Sequence, residues 1–231
     1  AIQKYPSKFK GMMLHDPELS AVQAVSRLED LTLKGFCGVR FNPYLWKDDD
    51  PKMKKMSAPD GAGLAVYKRC AELKQPVGIM CFKGLDLHFD DILQLIDASP
   101  DTTLVLDHFG FTGLDDEDDD TSRKGQENFE RLLSLAQYNK NVIVKISALF
   151  RVAGSEDAYP YEKVKNKRFL PLLHSFGSHR LMFGTDFPFV LEKDGYKKTV
   201  DLVKSWSPNA DDNANIMSGT AERIFGFWGD V

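Results

Sequence analysis

The chain has 231 residues, three cysteines and a formal net charge of −4, with 30 Lys and Arg against 34 Asp and Glu. This balance lacks the excess of basic residues that a nucleic-acid-binding domain needs, so nucleic acid is excluded as a partner. The longest apolar runs, such as residues 142–146, contain a lysine and are far shorter than the ~20 residues of a membrane-spanning helix. The composition predicts one globular α/β domain over residues 1–231 that does not bind membranes.

The cysteines and the first residues indicate the cellular compartment of the protein. Cys37, Cys70 and Cys81 are odd in number and lack Cys-x-x-Cys spacing, so we expect reduced thiols and a cytoplasmic protein. The first ten residues show neither the apolar core of a signal peptide nor an Arg-rich transit pattern. The chain begins without Met, which is expected if an upstream part has been removed, so import into an organelle stays open.

Short apolar runs typical of strands alternate with stretches of helical periodicity along the chain. The predicted strands start on average about 34 residues apart, which is the length of a βαβ unit and indicates a mostly parallel sheet. They are residues 9–14, 38–42, 77–82, 103–109, 142–147 and 181–186. The predicted helices are residues 18–34, 90–98, 128–138, 161–174, 197–206 and 211–225, and loops are expected at 47–56 and 114–124.

Six parallel strands suit either an open doubly wound sheet or part of a (β/α) barrel. No strand is followed by Gly-x-Gly-x-x-Gly, the phosphate-binding turn of many doubly wound sheets. A barrel instead collects polar residues from the ends of many strands. This chain does so at Asn42, Lys83, His108, Ser147 and Asp186. Because eight units typically need ~250 residues, the predicted barrel lacks two units.

Two of these residues are candidates for acid–base or metal chemistry. His108 could bind a metal, carry a proton or polarise a carbonyl, and it could equally be a hydrogen-bonded structural histidine. Strand alternation predicts that Asp107 and His108 lie on opposite faces, so Asp107 is interpreted as a loop cap. Asp186 stands above the small Gly184 and suits a general base toward water or a further metal ligand. A turn-forming aspartate is the alternative for Asp186.

Several cations near strand ends are predicted to bind substrate. Lys145 shares strand parity with Ser147, so an inward-pointing Lys145 needs a buried partner or an anionic ligand, unless its side chain extends outward. Arg40, Lys83 and Arg151 stand at or beyond strand ends and could bind carboxylates, the arginines through two parallel hydrogen bonds.

These segments together resemble the amidohydrolase-2 (amidohydrolase-related) family of metal-dependent TIM-barrel hydrolases. In order, they look like the third, fourth, sixth, seventh and eighth strand regions of that family and its terminal helix. The segments are residues 5–11, 35–42, 106–110, 144–147, 180–188 and 216–225. The resemblance implies a TIM (β/α)8 barrel of the metal-dependent hydrolase type that is incomplete, with its first two βα units missing from this chain.

The resemblance also implies roles for individual residues. His108 is similar to a metal ligand or substrate polariser, and Asp186 to the base that activates water, with a metal ligand as its other role. Arg40 and Arg151 look like contacts to a substrate carboxylate. The family's ion is divalent and zinc-like, and its first strand carries a His-x-His pair that does not occur here. Met80 stands where many relatives have His.

The family includes lactonases, some of them metal-independent, and decarboxylases that use a divalent ion. The resemblance therefore implies a hydrolase, with a lactonase acting on a small carboxylate or sugar lactone as the leading expectation. A metal-dependent decarboxylase and a truncated, non-catalytic barrel that binds a ligand or partner are the alternatives. The expected partner is a small-molecule substrate, and a homo-oligomer is left open.

Overall fold

The computed structural model describes residues 1–46, 55–114, 120–155 and 157–226, and only the backbone of residues 120–123. Six strands in this part of the chain form one sheet in the order β1 to β6, and the pairs β1–β2, β2–β3 and β5–β6 are parallel. The strands are β1 Gly11–Leu14, β2 Phe36–Phe41, β3 Val77–Ile79, β4 Leu104–Leu106, β5 Val142–Ile146 and β6 Leu181–Phe183. All six predicted strands are confirmed, but β3, β4 and β6 end three residues earlier than predicted.

Helices follow the strands, as the periodicity predicts. They are α1 Ala21–Leu33, α2 Ala62–Glu72, α3 Phe89–Ala98, α4 Asp120–Tyr138, α5 Leu149–Val152, α6 Glu162–Val164, α7 Leu170–Phe176, α8 Tyr196–Trp206, α9 Ala210–Ala214 and α10 Thr220–Phe225. Two π-helical turns, Lys165–Phe169 and Asn215–Gly219, continue α6 into α7 and α9 into α10. Among the described residues, no helix combines the length and the apolar character needed to cross a membrane.

The chain divides into two compact units, and the first comprises residues 1–83, 87–105 and 222–231. Its helix α1 begins with a capping box, because the Gln23 backbone N–H donates to Ser20 Oγ at 3.3 Å and the Ser20 N–H donates to Gln23 Oε1 at 3.1 Å. Ala24 and Leu28 are the buried residues of α1. The expected loop at 47–56 lies mostly outside the described residues.

The second unit comprises residues 84–86 and 106–221. Its strand β5 is buried along its length except at Lys145, which pairs in register with Met182 of β6. A Cβ built on Gly184 would lie 3.0 Å from Lys145 Cε and 3.3 Å from Ser147 Cβ, so these two side chains lie on the same side of the sheet as Gly184. Residues 115–119 of the predicted loop at 114–124 lie outside the described residues, and residues 120–124 form the first turn of α4 instead of a loop. A single domain over residues 1–231 stays a prediction.

Candidate active site

Left-handed turns stand at the ends of β4, β5 and β6. His108, Ala148 and Asp186 have φ angles of 53°, 54° and 61°. This conformation costs a residue with a Cβ about 1–2 kcal/mol, so it persists only where the surrounding structure holds it. Such strain is concentrated at functional sites, and here two of the three residues are the ones that sequence analysis selects for chemistry.

The turn after β4 is the longest of these. Residues 108–111 all have positive φ, between 53° and 62°. The turn is closed by a hydrogen bond from the Gly110 N–H to the Asp107 carbonyl at 2.9 Å, and the Thr112 hydroxyl donates to the Phe109 carbonyl at 2.7 Å. The chain therefore leaves the strand geometry directly after Asp107.

This turn corrects the interpretation of Asp107 as a loop cap on the face opposite His108. Asp107 Oδ1 accepts from Lys145 Nζ at 2.6 Å, and His108 Nδ1 lies 2.8 Å from Ser147 Oγ. Lys145 and Ser147 lie on one side of β5, so Asp107 and His108 both reach that side. Strand alternation does not extend across a left-handed residue, which is why the prediction was wrong.

Lys145 thus has the buried carboxylate partner that its strand parity required. The Asp107 side chain is 5% exposed and that of Lys145 is 24% exposed. The sequence pattern indicated a buried anion beside Lys145 but not the residue that supplies it. The inward parity of Lys145 was the available signal for an acidic side chain on the neighbouring strand.

His108 and Asp186 lie next to each other in the second unit. His108 is 3% exposed, and its Nε2 is 3.6 Å from Asp186 Oδ1. This separation exceeds that of a good hydrogen bond, so the two groups face each other without a short contact. The imidazole also packs edge-on against Phe111, with 5.1 Å between ring centroids.

The second carboxylate oxygen of Asp186 is bound by Arg151, whose Nε donates to Oδ2 at 2.8 Å. The guanidinium lies over the rings of Phe150 and Phe189, at 5.1 and 4.8 Å from their centroids, and such cation–π contacts fix its plane. Within the described residues, its two terminal nitrogens make no hydrogen bond to protein. They are available to an anionic ligand, and Asp186 is 14% exposed beside them.

The remaining predicted substrate-binding residues belong to the first unit. Arg40 Nε donates to Asn42 Oδ1 at 3.2 Å, and its Nη2 lies 2.9 Å from the sulfur of Met80. Lys83 is exposed. The structure therefore brings His108, Asp186, Lys145 and Arg151 together in one unit, and the roles predicted for all six residues stay predictions.

The donor set at this site is smaller than a zinc-like ion needs. Catalytic zinc has three protein ligands, whereas the described residues contain no group of three His, Cys, Asp or Glu side chains that could hold a metal. His108 and Asp186 offer two donors, and a guanidinium already occupies one oxygen of Asp186. These two residues alone do not fit such an ion.

A family model described as amidohydrolase matches residues 2–227. L-fucono-1,5-lactonase of Burkholderia multivorans is 29% identical over 133 residues, which cover 53% of this chain and 42% of that enzyme. The chain therefore aligns with less than half the length of this relative.

Solved structures of amidohydrolases are similar to this chain in fold. A Pseudomonas putida protein described as a 2-pyrone-4,6-dicarboxylic acid hydrolase is 23% identical with a TM-score of 0.68, over 99% of this chain and 76% of that one. A zinc-bound amidohydrolase from Burkholderia multivorans is 20% identical with a TM-score of 0.66, over 86% and 69%. The predicted fold class, that of TIM-barrel hydrolases, is confirmed. Because the family model matches almost every residue, the chain belongs to the amidohydrolase family.

Proposed function

We propose that the site around Asp186 hydrolyses a lactone of a small carboxylic or sugar acid. The observation that carries this proposal is the placement of the Asp186 carboxylate. It stands at the end of β6 with one oxygen 3.6 Å from His108 Nε2 and the other 2.8 Å from Arg151 Nε, and it is only 14% exposed. A carboxylate held in this way beside a polarising group is suited to activate water.

In the proposed reaction, water attacks the lactone carbonyl carbon while Asp186 takes a proton from that water. The carbonyl oxygen gains negative charge, and His108 stabilises that charge by donating a hydrogen bond. The ring C–O bond then breaks, and the protonated Asp186 returns its proton to the leaving alkoxide. The product is a hydroxy acid, and the carboxylate of Asp186 is regenerated.

Arg151 and Lys145 are proposed to bind anionic or hydroxyl groups of the substrate. The terminal nitrogens of Arg151 supply two donors in one plane, which matches a carboxylate. Lys145 is proposed to act mainly through its charge, since its ammonium already contacts Asp107. Substrate contacts by Arg40 and Lys83 stay predictions from the sequence. The names of both relatives, a fuconolactonase and a pyrone dicarboxylate hydrolase, support a cyclic ester as the substrate class.

Substitution of Asp186 by Asn tests the base. The amide keeps the shape of the carboxylate but cannot take a proton, so we expect the rate of hydrolysis to fall by about 10²- to 10⁴-fold. Ring opening would be followed by proton release over a panel of sugar lactones and pyrone carboxylates. Asp201→Asn is the matched control, because Asp201 is exposed on α8 and should leave the rate unchanged. Equal rates for the Asp186→Asn variant and the wild type would refute the assignment.

Removal of divalent ions tests whether the site uses a metal. A Burkholderia relative binds zinc, whereas a divalent ion at His108 and Asp186 of this chain would need further ligands beyond these two residues. Because these two donors fall short of the three in a catalytic zinc site, no step of the proposed reaction is assigned to a metal. We expect dialysis against a chelator to leave the Asp186-dependent rate unchanged. A chelator-sensitive rate restored by zinc would overturn this expectation.

The proposed location is the cytoplasm. Cys37, Cys70 and Cys81 form no disulfide among the described residues, and Cys70 and Cys81 are buried. Cysteines outside disulfides are typical of reducing compartments. The proposed partner is the small-molecule substrate.

A further inference from the structure

We propose that Ser147 is a positioning residue, which fixes His108 in the neutral tautomer that carries its proton on Nε2. Ser147 directly follows β5, and its Oγ lies 2.8 Å from His108 Nδ1. Both side chains are buried, since Ser147 is 0% and His108 3% exposed. The direction of this buried hydrogen bond determines which ring nitrogen of His108 holds the proton.

The needs of the serine hydroxyl give that direction. A hydroxyl has one proton to donate, and a buried donor without an acceptor is costly. Within the described residues, His108 Nδ1 is the hydrogen-bond partner of Ser147 Oγ. If Nδ1 carried the proton and donated it to Ser147, the hydroxyl proton of Ser147 would have no acceptor there. The hydroxyl is therefore the donor, and Nδ1 accepts.

The surroundings of the other ring nitrogen favour the same tautomer, but more weakly, because the contact there is longer. His108 Nε2 lies 3.6 Å from Asp186 Oδ1. An N–H group facing a carboxylate oxygen is attracted to it, whereas a nitrogen lone pair facing it is repelled. The Ser147 hydroxyl thus fixes the tautomer with its proton on Nε2, and Asp186 adds a weaker preference in the same direction.

The surroundings keep Ser147 in place. The backbone directly after β6 passes so close that a Cβ at Gly184 would lie 3.3 Å from Ser147 Cβ. Ser147 therefore has little room to move away from the imidazole. In the proposed reaction, on which this part of the inference rests, the Nε2–H group is the donor that polarises the lactone carbonyl. Ser147 acts on the substrate only through His108.

The tautomer can be measured in the protein without substrate. In ¹⁵N-labelled protein at neutral pH, long-range ¹H–¹⁵N correlation should show a protonated Nε2 and an unprotonated Nδ1 for His108, assigned by loss of the signals in His108→Gln. Ser147→Ala should change this pattern to a mixture of both tautomers. Ser178→Ala is the matched control, because Ser178 is also buried and its Oγ accepts from Asn215 Nδ2 at 3.0 Å, away from the imidazole. It should leave the His108 signals unchanged.

Two results for the wild type would overturn the inference about the tautomer, and one result for the variant would do so as well. One is a wild-type His108 with its proton on Nδ1, which would leave the Nε2 lone pair available as a ligand. The other is an imidazolium with both nitrogens protonated. An unchanged pattern in folded Ser147→Ala protein would also overturn it. None of these measurements depends on activity, so they stand apart from the proposed hydrolysis.

The same Ser147→Ala variant tests how the orientation of His108 affects turnover. Loss of a residue that orients an active-site histidine typically lowers activity by about 10- to 100-fold. We expect Ser147→Ala to lower kcat by this factor with little change in KM, and Ser178→Ala to change neither. If the tautomer is as proposed and kcat is unchanged in Ser147→Ala, the positioning role is wrong. If the wild type hydrolyses no lactone, the proposed function fails and the tautomer result still holds.

Discussion

Replacing Lys145 by Met should destabilise the protein by about 3 kcal/mol, because it removes the cation from a buried carboxylate. Lys145 Nζ and Asp107 Oδ1 are 2.6 Å apart. At an effective dielectric constant near 20, two unit charges at this distance attract by roughly 6 kcal/mol, and desolvation of both ions offsets part of that. Removing one partner of a buried pair costs about 3–5 kcal/mol. The lower end applies because Lys145 keeps 24% of its side chain exposed.

Urea unfolding followed by tryptophan fluorescence measures this loss. Lys197→Met is the matched control, since Lys197 Nζ lies 2.5 Å from Asp201 Oδ2 in a pair that is 88% and 54% exposed. The two pairs have similar lengths but different burial, and exposed pairs contribute little. We expect no measurable change in unfolding free energy for Lys197→Met. Adding Asp107→Asn to the Lys145→Met variant should recover much of the lost stability, because it removes the unpaired buried charge.

The contrast between the two pairs is what can refute this reasoning. If Lys145→Met and Lys197→Met destabilise the protein equally, burial does not determine the strength of the Lys145–Asp107 pair. If the effects of Lys145→Met and Asp107→Asn are simply additive, the two side chains do not interact. Either result would remove the explanation given for an inward-pointing lysine on β5.

Two further predictions concern stability and packing. Burial lowers the pKa of His15 to about 4 from its ordinary 6.5, so the unfolded state binds more protons between these values and stability should fall by up to about 3 kcal/mol as pH drops from 6.5 to 4. In urea titrations at several pH values, His15→Phe should reduce this pH dependence of the unfolding free energy, and His174→Gln, at an exposed position, should not. The same pH dependence in both variants would contradict the prediction. Gly184→Ala should cost about 1–3 kcal/mol, because its methyl group would crowd Lys145 and Ser147, and an unchanged urea midpoint would contradict that.

Much of the fold could be predicted from the sequence because its strands are short apolar runs separated by amphipathic helices. The strand ends could not be predicted in the same way. β4 stops at Leu106, since the next turn adopts left-handed angles that only the surrounding structure can hold. The sequence pattern predicted a strand through residue 109, and strand alternation over that length placed Asp107 on the wrong side of the sheet.

The site was predictable to a similar degree. The polar residues at strand ends were found because the apolar runs mark where strands stop, and the parity of Lys145 indicated a buried anion. The partners themselves depend on tertiary packing. Arg151 illustrates this, since its sequence position is compatible with a substrate contact but does not reveal that its Nε binds Asp186. Ser147 was visible as a polar strand end, whereas its contact with His108 requires the turn after β4.

The central claim, that Asp186 activates water for attack on a lactone carbonyl, is tested most directly by turnover in H₂¹⁸O with mass analysis of the product. We predict a hydroxy acid that has gained one molecule of water, with ¹⁸O in the new carboxylate, and its formation should be lost in Asp186→Asn but not in Asp201→Asn. Release of carbon dioxide without incorporation of ¹⁸O from water would contradict the account and indicate decarboxylation. Incorporation at the wild-type rate in Asp186→Asn would contradict the role assigned to this carboxylate.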